Sequence, residues 1–255
     1  MELRIQKYIS DCGIMSRRAA EREIELGNIR INGEIALIGQ KIDPARDTVT
    51  YKGKKVRASK PHKTYVMLNK PRGYVTTMSD EKGRKCVSEL LSDVDSRVYP
   101  IGRLDMNSEG LLLCTDDGEL TNTLTHPSHE IVKVYLVRVR GTVDKATLKS
   151  LSEPMDIDGY IIKPVPVIKL SENENSTLLR MELSEGRNRQ IRKMCEKHEL
   201  GVLSLKRVSE GELILGDLPT GKWRYLTREE IKYLQGLVSP KKTEAYKDGK
   251  RKCTK

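Results

Sequence analysis

The chain opens with apolar side chains at helical spacing. Ile5, Tyr8, Ile9 and Cys12 fall at i, i+3, i+4 and i+7, one buried helix face, with Arg4, Lys7 and Asp11 turned to water. Gly13 ends this helix. Ser16 is the expected N-cap of a second helix, and Gly27 lies just past its end. On that helix Arg18 and Arg22 share a face, with Arg17 beside them. Ile29-Arg30-Ile31 and Glu34-Ile35-Ala36 then flank Asn32-Gly33, the dipeptide of a tight hairpin, and Thr48-Val49-Thr50-Tyr51 reads as another strand. Residues 1–60 therefore predict a compact module of two helices and a small sheet, followed by a linker at Ser59-Lys60-Pro61-His62-Lys63.

Strand patterns dominate the rest. Tyr65-Val66-Met67-Leu68 reads as a strand that breaks at Asn69-Lys70-Pro71-Arg72-Gly73 and resumes at Tyr74-Val75-Thr76-Thr77. Val87 to Leu91 is a short helix. Gly110 to Thr115 is an unbroken apolar run, hence a buried strand. After Asp117-Gly118 a helix runs to Thr125 and stops ahead of Pro127. Ile131 to Arg140 is a long strand with Val132, Val134 and Leu136 on one side and Lys133, Tyr135, Val137 and Val139 on the other. Residues 144–151 are helical, and Pro154, Pro164 and Pro166 interrupt the stretch after that helix. Thr177 to Leu183 alternates as a strand. Gly186 leads into a helix whose Ile191, Met194, Cys195 and His198 share a face. Val202 to Val208 is a strand, and a last helix begins near Thr227 with Glu230 completing a capping box. Strands outnumber helices and their connections are irregular, which predicts α+β with a mixed sheet. From Pro240 the chain is Lys-rich and apolar-poor, so 239–255 reads as a disordered tail.

Composition sharpens this picture. A chain of 255 residues makes one large domain or two smaller ones. With no Phe and one Trp, the core must be built from Leu, Ile and Val. No apolar run approaches the ~18 residues of a membrane span, and the start lacks the apolar stretch of a signal peptide. Five scattered cysteines (Cys12, Cys86, Cys114, Cys195, Cys253) suit a reducing compartment, so the expected location is the cytoplasm. The net charge of +11 is uneven: +5 over 1–60, +1 over 61–238 and +5 over 239–255. Two basic ends around a near-neutral middle suit a polyanion gripped at the edges, most simply nucleic acid. Basic solubility or an acidic membrane surface is the alternative. Arg17, Arg18 and Arg22 would then meet phosphates rather than bases, unless Glu21, Glu23 and Glu25 balance them on a solvated face.

Familiar chemistries fall away. His126 and His129 enclose Pro127-Ser128 and read as loop histidines, and no metal-ligand spacing occurs among His and Cys. Asp116-Asp117 ahead of Gly118 reads as a turn and cap rather than a nuclease centre. Gly211 to Gly216 has phosphate-loop spacing, but Asp217 replaces the required Lys. Ser108 is not in a nucleophile elbow. Two segments remain. Gly102-Arg103-Leu104-Asp105 through Leu113 presents an acid from a glycine-bounded loop entering a buried strand. Glu185 to Met194 packs Arg187, Arg189, Arg192 and Lys193 into a strand-to-helix junction, a spacing that suits phosphate contacts.

Gly102-Arg103-Leu104-Asp105 followed by Ser108-Glu109-Gly110-Leu111-Leu112 resembles the catalytic motif of RNA pseudouridine synthases. More narrowly, the chain resembles the bacterial rRNA branch that carries a ribosomal-protein-S-four-like RNA-binding domain in front. Residues 1–60, with Ser16-Arg17-Arg18-Ala19-Ala20, resemble that domain. Asn69 to Gly73, Lys133-Val134-Tyr135 and Glu185 to Met194 are similar to further signatures of the branch. Leu205-Lys206-Arg207-Val208, Leu215-Gly216-Asp217-Leu218 and Trp223-Arg224-Tyr225-Leu226-Thr227 look most like its large-subunit rRNA members.

The resemblance implies a central mixed, mostly antiparallel sheet with flanking helices over 64–238, and conversion of an rRNA uridine to pseudouridine without cofactor or metal. By position Asp105 matches the nucleophile and Tyr135 the residue whose ring stacks on the base and whose hydroxyl assists proton transfer. Arg192 matches the basic partner that keeps the aspartate ionised. Arg103 matches an arginine that fills the gap left by the flipped nucleotide. Arg187 and Arg189 face RNA, as do Arg4, Lys7, Arg17, Arg18 and Arg22 of the front module. The implied partner is ribosomal RNA in a large-subunit precursor particle, met by a monomer with no membrane. Small-subunit rRNA, or a non-catalytic assembly factor keeping the fold, is the other reading. Cys114, Asp116 and Lys193 depart from the residues common at those positions.

Overall fold

A computed structural model describes residues 2–57, 63–126 and 130–238. Most of the expected linker (Ser59 to His62), His129 and the expected tail 239–255, with Cys253, lie outside the described residues.

Residues 2–57 enclose a core of their own. Helix α1 (Ile5–Asp11) and helix α2 (Arg17–Glu25) bury Ile5, Ile9, Ala20 and Ile24 against Ile29 and Val49 of a four-stranded sheet. Ser16 caps α2, its hydroxyl accepting from the Ala19 amide at 3.2 Å. Asn32 and Gly33 take the positive φ that the hairpin turn needs. Arg4, Lys7, Arg17, Arg18 and Arg22 are all exposed. Lys7 is spent on Asp11 one turn away. Glu21 accepts from Gln6 and Glu23 from Asn28, with Lys52 also 3.4 Å from Glu23. Two of the acids expected to balance the α2 arginines are thus committed elsewhere.

The remaining residues form a mixed, mostly antiparallel nine-stranded sheet with helices packed on it. Its main strands are β1 (Tyr65–Lys70), β2 (Glu109–Thr115), β3 (Lys133–Arg140), β4 (Val167–Asn173), β5 (Ser176–Leu183), β6 (Val202–Glu210) and β7 (Trp223–Tyr225). The spatial order is β4-β5-β3-β6-β2-β1-β7. Strand β6 is antiparallel to β3 on one side and parallel to β2 on the other. It alone links the β4-β5-β3 half of this order to the β2-β1-β7 half.

Strands β1 and β2 are apolar throughout because both faces are covered. Tyr65, Met67, Leu111 and Leu113 meet α3 (Gly118–Thr125) and α6 (Arg228–Val238). Val66, Leu68, Leu112 and Cys114 meet Val87, Leu91 and Leu104. In the other half, Val137, Val139, Leu179 and Met181 pack on α5 (Gln190–Lys197) and on Leu151 of α4 (Lys145–Ser152).

Several local expectations change. The strand β1 does not break at Asn69; it runs through Lys70, whose ammonium finds carbonyl partners inside the fold. Tyr74 to Thr77 does not resume a strand. The chain turns at Gly73 (φ 85°), only an isolated bridge joins Val75 to Cys86, and the Thr76 hydroxyl binds Leu104. The proline-rich stretch carries β4, an edge strand that Pro164 and Pro166 precede, and a hairpin at Asp156–Ile161. Val132 precedes β3, and His198 caps α5 from beyond its end. Asp116 and Asp117 are structural, as expected: Asp117 caps α3 through Glu119 and Leu120, and Asp116 accepts from Thr64.

Candidate active site

The loop that enters β2 is pinned along its length. Ile101 is buried under α3 and α6, and Leu104 on the opposite side of the sheet. The Thr76 hydroxyl donates to the Leu104 carbonyl at 2.6 Å and accepts from its amide at 3.2 Å. The amide of Gly73 donates to Met106, and that of Ser108 to Asp105. Beneath the loop lies Lys70, with no exposed surface. Its Nζ donates to the carbonyls of Pro71 (3.0 Å), Asp105 (3.1 Å) and Ser108 (2.9 Å). Burial pulls the Lys70 pKa down to about 8, against the opposing charges of Asp105 and Glu109. An ammonium with three carbonyl acceptors is satisfied in the interior at the expense of its hydration.

Gly110 explains how closely β6 approaches this loop. It holds φ +104° and pairs with Arg207, and a Cβ there would stand 2.2 Å from the Arg207 carbonyl oxygen. Arg207 in turn is buried, and its Nε donates to the Leu111 carbonyl at 2.7 Å. It lies directly across the β3–β6 pair from Tyr135. Glu210 is 3.5 Å from Arg207 Nη2 and 3.6 Å from Lys133 Nζ, which closes a buried charged group behind the phenol. Burial raises the Tyr135 pKa, with the Arg207 charge acting against that rise. The phenol is therefore protonated at neutral pH.

Asp105 and Tyr135 open into the same cavity of about 1090 Å³. Leu183, Ile191 and Leu205 give it an apolar wall, and Arg103, Arg187 and Arg189 stand around it. A second cavity of about 490 Å³ adjoins it and shares Arg103, Tyr135 and Arg187. The space suits a flat polar ring with a charged backbone: an acid and a phenol inside, arginines around them.

Arg192 takes a different place from the one expected. No ion pair joins it to Asp105. Its Nη2 donates to the Asn107 carbonyl at 2.8 Å, two residues along the same loop, and its buried Nε has no partner. Burial and the nearby Arg189 lower its pKa, while the Asp105 charge opposes them. The guanidinium thus acts on the acid through the loop and at longer range. Arg189 caps α5 in a left-handed conformation, φ 53°. Arg187 is stacked on Tyr160. Lys70, Arg207 and Glu210 were not singled out from the sequence. Arg207 had one usable signal, since it sits two residues after Leu205 and so on the same strand face. No group of His, Cys, Asp and Glu that could hold a metal ion occurs among the described residues.

Comparison with known proteins gives this geometry its context. Residues 64–197 match the family model described as RNA pseudouridylate synthase. An uncharacterized RNA pseudouridine synthase of Aquifex aeolicus is 39% identical over 94% of this chain and 97% of its own length. The Bacillus subtilis protein named ribosomal large subunit pseudouridine synthase B is 37% identical, over 92% and 96%. The Escherichia coli dual-specificity RNA pseudouridine synthase RluF is 35% identical, over 98% and 84%. A crystal structure titled pseudouridylate synthase superposes with a TM-score of 0.66 at 28% identity, covering 91% of this chain and 99% of that one. The fold is that of an RNA-modifying isomerase. The chain belongs to the RNA pseudouridylate synthase family.

Proposed function

We propose that this enzyme isomerises a uridine of large-subunit ribosomal RNA to pseudouridine, with Asp105 as the nucleophile. The observation that carries the assignment is the shared cavity, lined by both a carboxylate on a pinned loop and a half-buried phenol. The flipped nucleotide enters beside Arg103, and unstacking costs a few kcal/mol that RNA contacts offset. Tyr135 stacks on the base, and Asp105 bonds covalently to the nucleotide while the glycosidic C–N bond breaks. The base turns, the bond to Asp105 breaks as C5 bonds to the ribose, and the C5 proton leaves for solvent while N1 gains a proton, so the product is an isomer and the carboxylate is regenerated. Arg192 positions the Asp105 loop through Asn107 rather than pairing with the acid.

The choice of large-subunit rRNA rests on the name of the Bacillus subtilis relative. The dual-specificity name of the Escherichia coli relative supports a second reading, in which more than one RNA is accepted. Residues 1–60 are proposed as the S-four-like RNA-gripping domain, supported by the separate core among residues 3–56 and the exposed Arg17, Arg18 and Arg22. The setting we propose is the cytoplasm, with a precursor particle as substrate and the enzyme as a monomer. No helix among the described residues is long and apolar enough to cross a membrane.

The test is a pseudouridine map of rRNA from cells with and without the protein, complemented by the parent chain or by Asp105→Ala. One large-subunit position should lose its modification, return with the parent and stay unmodified with Asp105→Ala. Full restoration by Asp105→Ala refutes the nucleophile. A lost position in small-subunit rRNA alone refutes the choice of subunit.

A further inference from the structure

Asp156-Ile157-Asp158-Gly159-Tyr160-Ile161 is a segment that the catalytic assignment leaves without a role. It forms a hairpin whose turn is Asp158 (φ 55°) and Gly159 (φ 78°). Ile157 and the following Ile162 are buried in the core below. Three links tie the hairpin and the residue just past Ile162 to the segment from Glu185 to Lys193. Lys193 pairs with the Asp158 carboxylate. The Glu185 carboxylate accepts from the Lys163 amide at 3.1 Å. The Arg187 guanidinium lies 3.0 Å from the centre of the Tyr160 ring. Anchored below and tethered at the side, the hairpin holds its aromatic ring in a fixed plane.

That plane faces an informative place. Arg187 lines both the large cavity with Asp105 and the smaller one, where Tyr160 is also exposed. The other cations of the smaller cavity are partly spoken for: Lys163 pairs with Glu130, and Lys133 with Glu210. Arg187 has no carboxylate partner among the described residues. Its guanidinium carbon lies over the ring, and the side chain lines both cavities. A guanidinium held flat is weakly hydrated, stacks on nucleobases and bonds phosphate with its edge.

We propose that the Tyr160–Arg187 stack is the platform for a base flanking the target uridine, so that the hairpin forms one wall of the RNA groove. The proposal rests on the RNA-modifying reading above and adds the site for a neighbouring single-stranded nucleotide. The flipped uridine takes the cavity of Asp105, and the next base lies on the guanidinium with its phosphate at the N–H edge. Tyr160 supplies no charge. Its part is to fix the plane of Arg187, which a phenylalanine ring does equally well and an alanine does not.

The test uses the full chain with unmodified large-subunit and small-subunit rRNA transcripts carrying tritium at uracil C5. Tyr160→Ala should raise the half-saturating RNA concentration about tenfold, the value of one stacked base, and leave the rate at saturation within about twofold of the parent. Tyr160→Phe should behave as the parent. Parental half-saturation in Tyr160→Ala, or an equal loss in Tyr160→Phe, overturns the platform and leaves the catalytic assignment standing. If the parent releases no tritium from either transcript, nor from precursor particles carrying the same label, the catalytic assignment is what falls. Filter binding of the same transcripts to the three proteins then decides the platform on the same tenfold difference.

Discussion

Lys70→Met removes the ammonium under the Asp105 loop while keeping most of its volume. Two effects oppose each other. The carbonyls of Pro71, Asp105 and Ser108 lose their donor, at about 1 kcal/mol for each that water does not reach. Against this, the buried charge disappears. Its pKa falls from 10.5 to about 8, so holding the proton costs the folded chain about 3 kcal/mol. The sums nearly cancel at pH 7, and stability there should change by less than about 2 kcal/mol. Turnover should not survive so well, because a loop displaced by about 1 Å costs a reaction roughly a hundredfold.

The pH dependence supplies a second check. Between about 8 and 10.5 the unfolded parent still holds the Lys70 proton that the folded parent has released. The unfolded state then binds more protons, and stability from this group rises with pH, fully present above 10.5 and lost as pH falls through about 8. Urea titrations of both proteins at a series of pH values should show the parent gaining about 3 kcal/mol on Lys70→Met across that window. Single-turnover tritium release measures the loop. A variant with parental turnover, or a stability difference flat from pH 8 to 10.5, refutes the role given to this ammonium.

Three further outcomes are expected. Gly110→Ala places a Cβ 2.2 Å from the Arg207 carbonyl at φ +104°, and should destabilise the fold by on the order of 3 kcal/mol in urea titration. Tyr135→Phe keeps the ring and loses the hydroxyl. Single-turnover rates should fall about a hundredfold with half-saturating RNA unchanged. In the parent, the raised phenol pKa should leave no tyrosine limb in the rate profile below pH 10. Replacing Arg17, Arg18 and Arg22 together by Gln should lower the slope of log affinity against log salt by about 2 for single-stranded rRNA transcripts, with the saturated rate unchanged.

Much of this architecture was readable one segment at a time. The i, i+3, i+4 pattern of α1, the Ser16 cap, the Asn32-Gly33 turn and the Thr227–Glu230 box depend on neighbours in sequence, and local rules located them. Asp105 stands out as an acid in a glycine-bounded loop entering an apolar run, but its proposed role, like that of Tyr135, comes from the family motif. Lys70 was missed because a lysine at a strand end normally points to water. Only three carbonyls from residues 71, 105 and 108 make its burial tolerable, and tertiary partners leave no local trace. Glu210 was missed for the same reason, since its partner Lys133 sits on another strand, and Arg207 offered only its position on the Leu205 face. The hairpin at Asp158-Gly159 did carry a legible signal, but nearby prolines outweighed it. Arg192 was assigned to the acid itself. Sequence spacing cannot tell a carboxylate from a carbonyl two residues farther along the same loop.

The position of β6 bears on when the protein becomes competent during its synthesis. The acid and the phenol belong to half-sheets that meet only through a strand near the C-terminal end, Val202–Glu210. A nascent chain that has emerged only as far as α5 holds both groups on unjoined platforms. The cleft forms only when this later strand threads between them, so a chain synthesised as far as α5 has both groups but not the wall that brings them together.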